Sequence, residues 1–127
     1  MYNIPVKTIQ TDKAPAAIGP YSQAVVAGGF VFCAAQIGMD PVTGSLAEGL
    51  ENQVKQVITN IEAVLEAAGS DLTKVVKTTV YLKSINDFAK MNEIYAKFFI
   101  GKPARATVEV ASLPKGALVE IDVVATL

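Results

Sequence analysis

The stretch from Glu48 to Ala68 limits the fold most. Its apolar residues, Leu50, Val54, Val57, Ile58, Ile61, Val64, Leu65 and Ala68, recur at helical spacing, and Gly69 stands where such a helix would stop. A helix with one apolar stripe is stable only when that stripe is covered. The flanking segments offer the cover. Val75 to Leu82 is rich in β-branched residues and reads as a strand, while Arg105 to Val110 and Ala117 to Ala125 alternate apolar and polar residues in the manner of strands.

A second helix is expected after the acidic capping pattern Ser84-Ile85-Asn86-Asp87, with Phe88, Met91, Tyr95, Phe98 and Phe99 as its stripe and Lys102-Pro103 as its end. Towards the N-terminus, Ile4 to Ile9 reads as a short strand, followed by a loop from Ala14 to Pro20. Tyr21 to Ala27 and Phe30 to Gln36 flank Gly28-Gly29, a pair suited to a tight hairpin because primed turns need positive φ at both central residues. Asp40-Pro41-Val42-Thr43-Gly44 is a further turn. The order βββαβαββ makes this an α+β chain, a sheet with two helices packed on one face. With 127 residues and no linker, sequence repeat or low-complexity stretch, one domain over 1–127 is expected.

Composition narrows the chemistry. A 51% hydrophobic content and a mean hydropathy of +0.38 are high for a single small domain, so part of the apolar surface is expected to face another subunit. The net charge of −1 offers no surplus of Lys and Arg for phosphate neutralisation, which argues against nucleic acid as a partner. Without histidine, the usual zinc sites and the Ser-His and Cys-His nucleophile pairs are ruled out within one chain. Proton transfer is left to Asp, Glu, Tyr, Lys, Cys or water. No P-loop or G-x-G-x-x-G is present. Cys33, the sole cysteine, lies in the apolar run Phe30 to Ala35 and reads as a buried, inert thiol. The N-terminal residues have no signal-like apolar core, and no segment approaches the ~18 apolar residues of a membrane span, so a reducing, cytoplasmic setting is expected.

Arg105 is the only arginine, and its planar guanidinium can fork two hydrogen bonds onto a carboxylate where lysine cannot. Ala106, Val108 and Val110 form one face of its strand, leaving Arg105, Thr107 and Glu109 on the other. In the last strand, Val119, Ile121 and Val123 leave Glu120 and Asp122 opposite. If both apolar sets meet the helices, the polar sets share the open face. A hairpin between these strands would then pair Arg105 with Asp122 and Thr107 with Glu120, placing Arg105 and Glu120 roughly 7–8 Å apart on the diagonal. This pattern suits either a structural or interface salt bridge, or an anion clamp beside a proton-handling carboxylate.

Several segments together resemble a known family. Ala16-Ala17-Ile18-Gly19-Pro20-Tyr21-Ser22-Gln23-Ala24, Gln36-Ile37-Gly38 and Asn86 to Tyr95 are similar to its signatures, as are Pro103-Ala104-Arg105-Ala106-Thr107-Val108-Glu109-Val110 and Leu113 to Ile121. In order and over essentially the whole chain, they resemble the RidA/YjgF reactive-intermediate deaminases. The resemblance implies a chorismate-mutase-like α+β fold and a homotrimer with three clefts between subunits. It also implies hydrolysis of 2-imino acids, such as 2-aminoacrylate/2-iminopropanoate and 2-iminobutanoate, without metal or organic cofactor.

Carried over by position, Arg105 would bind the substrate carboxylate and Glu120 would hold the attacking water. Tyr21 would line the cleft from the neighbouring subunit, and Ala35 would offer backbone groups. Asn92 matches a cleft position, although a buried, hydrogen-bonded helix asparagine fits equally. Thr107 stands where the family often has cysteine, so its hydroxyl or backbone N–H would take over the hydrogen-bonding role. Ala34 replaces a common serine. Two rival readings share these residues: a non-catalytic sensor of small carboxylates, and an endoribonuclease or translation inhibitor, an activity attached to some relatives.

Overall fold

A computed structural model describes residues 5–127, so the expected strand start at Ile4 lies outside the described residues. The first long helix, α1, runs Gly49–Ala67 and buries Val54, Val57, Ile58, Ile61, Val64 and Leu65, the stripe read from the sequence. It ends at Gly69, with the Ser70 amide donating to the Leu65 carbonyl at 2.8 Å. The strands are β1 (Val6–Ile9), β2 (Ala24–Ala27), β3 (Phe30–Ile37), β4 (Val75–Leu82), β5 (Ala104–Glu109) and β6 (Val119–Thr126), with α2 (Phe88–Phe98) between β4 and β5. They form one mixed sheet in the order β1-β2-β3-β6-β4-β5. Gly28 and Gly29 turn the β2–β3 hairpin with φ of 59° and 81°, both in the left-handed region that glycine enters without strain.

Both helices lie on one face. α1 packs on β3, β6 and α2, and the core is the layer between helices and sheet, where Val31, Val80, Leu82, Val119, Ile121 and Val123 meet the α1 stripe. β6 runs up the middle of the sheet and alternates buried and half-buried residues along its full length. Its register is therefore fixed: a slip of one residue would turn Glu120 and Asp122 into the core.

Two local expectations are corrected. Ser84 does not cap α2 directly. Its hydroxyl accepts from the Asn86 amide at 3.2 Å and starts a single 3-10 turn, Ile85–Asp87, from which α2 follows. Tyr21, Ser22 and Gln23 precede β2 rather than belonging to it. There the buried Gln23 side-chain amide accepts from the Thr11 amide at 2.7 Å and donates to the carbonyl of Pro15 at 2.8 Å, tying the loop to itself, while the Gln23 backbone carbonyl accepts from the Ala34 amide of β3 at 2.9 Å.

The larger correction concerns β5. It does not form a hairpin with β6 but pairs in parallel with β4, which lies between them: Arg105 stands beside Thr78 and Thr107 beside Val80, whereas Glu120 is paired with Tyr81 and Ile37. The cause is the β4–α2–β5 connection. A crossover helix returns the chain to the same end of the sheet, so the next strand enters parallel to the one before. β6 then fills the slot between β3 and β4, antiparallel to both.

Candidate functional site

The sheet register carries Arg105 and Glu120 to opposite faces. Ile9, Ala24, Cys33, Val123, Thr78 and Arg105 form one continuous row of neighbours across all six strands. The first five are buried under the helices, and Arg105 ends the row at the sheet edge, partly buried. Its side chain runs beneath α2. The guanidinium carbon lies 4.8 Å from the Tyr95 ring centroid and 5.5 Å from that of Phe88. Both rings attract the cation through their π faces, an interaction that leaves N–H groups available for a carboxylate. The Tyr95 and Thr78 hydroxyls share a buried hydrogen bond of 2.7 Å, which fixes the ring against the cation.

Arg105 forms no salt bridge among the described residues, where the sole ion pair is Lys55 with Glu51 on the surface of α1. The intrachain salt bridge entertained from the sequence is therefore not what Arg105 does. Beside it is a cavity of about 460 Å³, lined also by Asn92, Tyr95, Phe99, Ile100 and Lys102. Asn92 Oδ1 is buried without a hydrogen-bond partner, so the satisfied structural asparagine is not what the fold contains. Thr107, two residues along β5 on the same face as Arg105, likewise has a buried hydroxyl with no partner. Two orphaned polar atoms on the Arg105 side of the sheet cost free energy unless a ligand or water meets them.

Glu120 belongs to the other face. It lines a cavity of about 390 Å³ together with Tyr21, Ala35, Gln36, Ile37 and Lys115. β3 carries a bulge here: Cys33 opposes Val123 and Gln36 opposes Ile121, leaving Ala34 and Ala35 against the single residue Asp122. The bulge turns Ala35 into the cavity wall, a usual device beside functional sites. Burial pushes the Glu120 carboxyl above the ordinary glutamate range, and the negative charge of Asp122 adds to the rise. Tyr81 lies directly opposite Glu120 and donates its hydroxyl to Asp122 Oδ2 at 2.9 Å.

The expected site residues thus fall into two groups, Arg105, Asn92 and Thr107 against Glu120, Tyr21 and Ala35. The expected diagonal contact of Arg105 with Glu120 does not exist within one chain. With β4 between β5 and β6, two strand spacings, roughly 10 Å, and the thickness of the sheet separate them.

Comparison with known proteins bears on what these halves belong to. Residues 11–127 match the family model described as Endoribonuclease L-PSP. A RutC family protein of Pyrococcus horikoshii is 55% identical over 121 residues, covering 94% of this chain and 96% of that protein. A 2-iminobutanoate/2-iminopropanoate deaminase of Rattus norvegicus is 51% identical over 127 residues, covering 98% and 93%. The crystal structure of RidA from an Antarctic Psychrobacter superposes with a TM-score of 0.92 at 50% identity, covering 95% of this chain and 99% of that one. The chain belongs to the RidA/YjgF family.

Within this RidA-family chain, sequence reasoning missed the residues that support the two halves. Phe88 and Tyr95 read as core, because an aromatic at helical spacing looks the same whether it faces a sheet or a guanidinium. Tyr81 was passed over, and Asp122 was expected opposite Arg105 instead, because their contact crosses from β4 to β6, segments 41 residues apart. The signal for the first was available: a βαβ unit predicts that β5 borders β4, which puts Arg105 beneath α2. No helix among the described residues is long and apolar enough to cross a membrane.

Proposed function

We propose that this protein hydrolyses reactive 2-imino acids, 2-aminoacrylate/2-iminopropanoate and 2-iminobutanoate among them, to 2-oxo acids and ammonia in the cytoplasm, without a metal or organic cofactor. One observation carries the reading: the single guanidinium of the chain lies against two rings of α2, lines a cavity and has no carboxylate partner among the described residues. A site that spends an arginine this way is built for an anionic ligand that arrives from outside. The identity to a deaminase supports the same reading.

The division of the site between two faces then calls for a second copy. The open face of the sheet carries Phe30, Phe32 and Val108 at 40%, 48% and 42% exposure, apolar surface that suits an interface. In a homotrimer, each of three clefts joins Arg105, Asn92 and Thr107 of one subunit to Glu120, Tyr21 and Ala35 of the next. The substrate carboxylate lies on Arg105. A water held by ionised Glu120 adds its oxygen to C2, the C=N π pair moves to nitrogen, and Glu120 takes the proton. The protonated carboxyl returns that proton to nitrogen. Ammonia leaves as the C2 hydroxyl oxygen closes the carbonyl and its proton goes to the ammonia, giving ammonium. The iminium is already electrophilic, so positioning and proton transfer supply the catalysis.

The test is release of ammonia and 2-oxo acid from freshly generated 2-aminoacrylate and 2-iminobutanoate. Wild type should accelerate both. Arg105→Ala should lose at least about a hundredfold in kcat/KM, and Arg105→Lys should recover little of it because the planar fork is gone. A fully active Arg105→Ala protein refutes the anchor. Tight binding of 2-oxo acids with no acceleration favours a sensor.

A further inference from the structure

Glu120 is asked to do two opposite things in that reaction: take a proton from water, then give one to nitrogen. A single carboxyl performs both well only when its pKa lies near the working pH. A cleft built around a guanidinium works against this, since a nearby positive charge favours the ionised carboxylate and weakens it as an acid. Something must oppose that pull.

The open face of the sheet supplies it. Asp122 follows Glu120 on β6 by two residues and so projects from the same face. Its carboxylate is held in place by Tyr81, which donates to Oδ2 at 2.9 Å and is itself the cross-strand neighbour of Glu120. On the other flank, the bulge at Ala34 and Ala35 sets small side chains against Asp122, and Ala35 lines the cavity beside Glu120. The other titratable groups at that cavity are Tyr21, in the loop before β2, and Lys115, in the 3-10 turn before β6. Buried Cys33 lies on the other face, where burial with some help from Asp122 pushes its thiol up to about 12, so it stays neutral.

We infer that Asp122, anchored by Tyr81, is a positioning residue that keeps Glu120 able to hold a proton at working pH. Its charge repels the ionised form of Glu120 and adds to the effect of burial. Tyr81 is bound into the same triad: the hydrogen bond to Asp122 raises its own phenol above the ordinary range, with burial and the charges of Asp122 and Glu120 acting the same way. Tyr81 therefore remains a donor to the carboxylate of Asp122. The catalytic meaning of this arrangement rests on the deaminase reading, whereas the titration of Glu120 does not.

Carbon-13 NMR of the Glu120 side-chain carboxyl, assigned by its loss in Glu120→Gln, reads the titration directly in the full protein. The wild-type midpoint should lie above that of an ordinary glutamate. Asp122→Asn should move it to lower pH, and Asp122→Glu, which keeps the charge, should bring it back towards wild type. Asp122→Thr, a β-branched replacement suited to a strand, serves if the asparagine variant does not fold. The acid limb of the pH–kcat profile for ammonia release should move in the same direction as the midpoint, with KM little changed. An unshifted midpoint in the charge-removing variants overturns the role of Asp122, even if the protein is an active deaminase. A shifted midpoint in a protein that releases no ammonia supports the pairing of the two acids and sinks the deaminase reading instead.

Discussion

At Glu120, the proposed acid–base role and the stability of the fold pull in opposite directions. Its folded-state pKa is raised by burial and by Asp122. A carboxyl raised in this way favours the folded state below its unfolded pKa, and that contribution is lost as pH rises through the folded pKa. Once ionised, the side chain is therefore a cost to the fold. Glu120→Gln should raise the melting temperature near pH 7–8, and the gain should vanish at pH values low enough to protonate wild-type Glu120. The same variant should lose about a hundredfold or more in turnover, the usual worth of a positioned acid–base group. Calorimetry across pH alongside the ammonia assay checks both, and a variant that is less stable than wild type at pH 8 would contradict the assignment. Arg105 stood out in the sequence as the only arginine, and Glu120 through strand alternation and the family resemblance. Their faces were not both legible. Alternation fixes which residues of β5 share a face, but not which face is inward. Ala106 and Val108 look like the buried set until it is seen that the edge of the sheet is roofed by Phe88 and Tyr95, whose rings accept a guanidinium and its aliphatic stem.

Among the elements, α1 does more than cover the sheet. Gln53 and Asn60, buried one beside and one within the apolar stripe, reach down to the backbone. Gln53 accepts from the Leu118 amide at 2.9 Å and donates to the Ala47 carbonyl at 3.1 Å, while Asn60 donates to the carbonyls of Met39 at 2.9 Å and Ile37 at 3.2 Å. These bonds tie the end of β3 and the start of β6, the two segments that flank Glu120, to one rigid helix. Gly38 makes the approach possible, because a Cβ there would lie 2.7 Å from both Cα and O of Gln53. Gly38→Ala should therefore cost about 1–3 kcal/mol in folding stability by overpacking against backbone that cannot yield. Urea denaturation measures it, and an unchanged midpoint would mean that α1 is free to lift. The helix and its length were readable from periodicity, and β4 from its β-branched run. The polar contacts of Gln53 and Asn60 were not, since they join segments 65, 23 and 21 residues apart that no local pattern links. The parallel pairing of β4 with β5 lay within reach of a general rule, because a helix between two strands returns the chain to where it began. The alternation of the last two strands suggested a hairpin instead, and alternation is silent about which strand is next to which.

For the whole molecule, the decisive feature is that one chain carries Arg105 and Glu120 on opposite faces of its sheet. In the proposed function, Arg105 and Glu120 share a small ligand only across a contact between copies, so that proposal requires an oligomer. The consequence is testable with two inactive proteins. Arg105→Ala lacks the anchor but keeps a sound Glu120, and Glu120→Gln has the reverse defect. If each cleft takes Arg105 from one subunit and Glu120 from the next, unfolding and refolding an equal mixture lets the chains reassort. About a quarter of the clefts in randomly mixed closed rings would then receive both native residues. Activity should return to roughly that fraction of the wild-type value, and a mixture kept folded without exchange should show none. A site contained within one subunit gives no recovery under any mixing regime. Recovery well above a quarter would mean that the two variants prefer each other as neighbours, which the mass distribution of differently tagged chains would reveal.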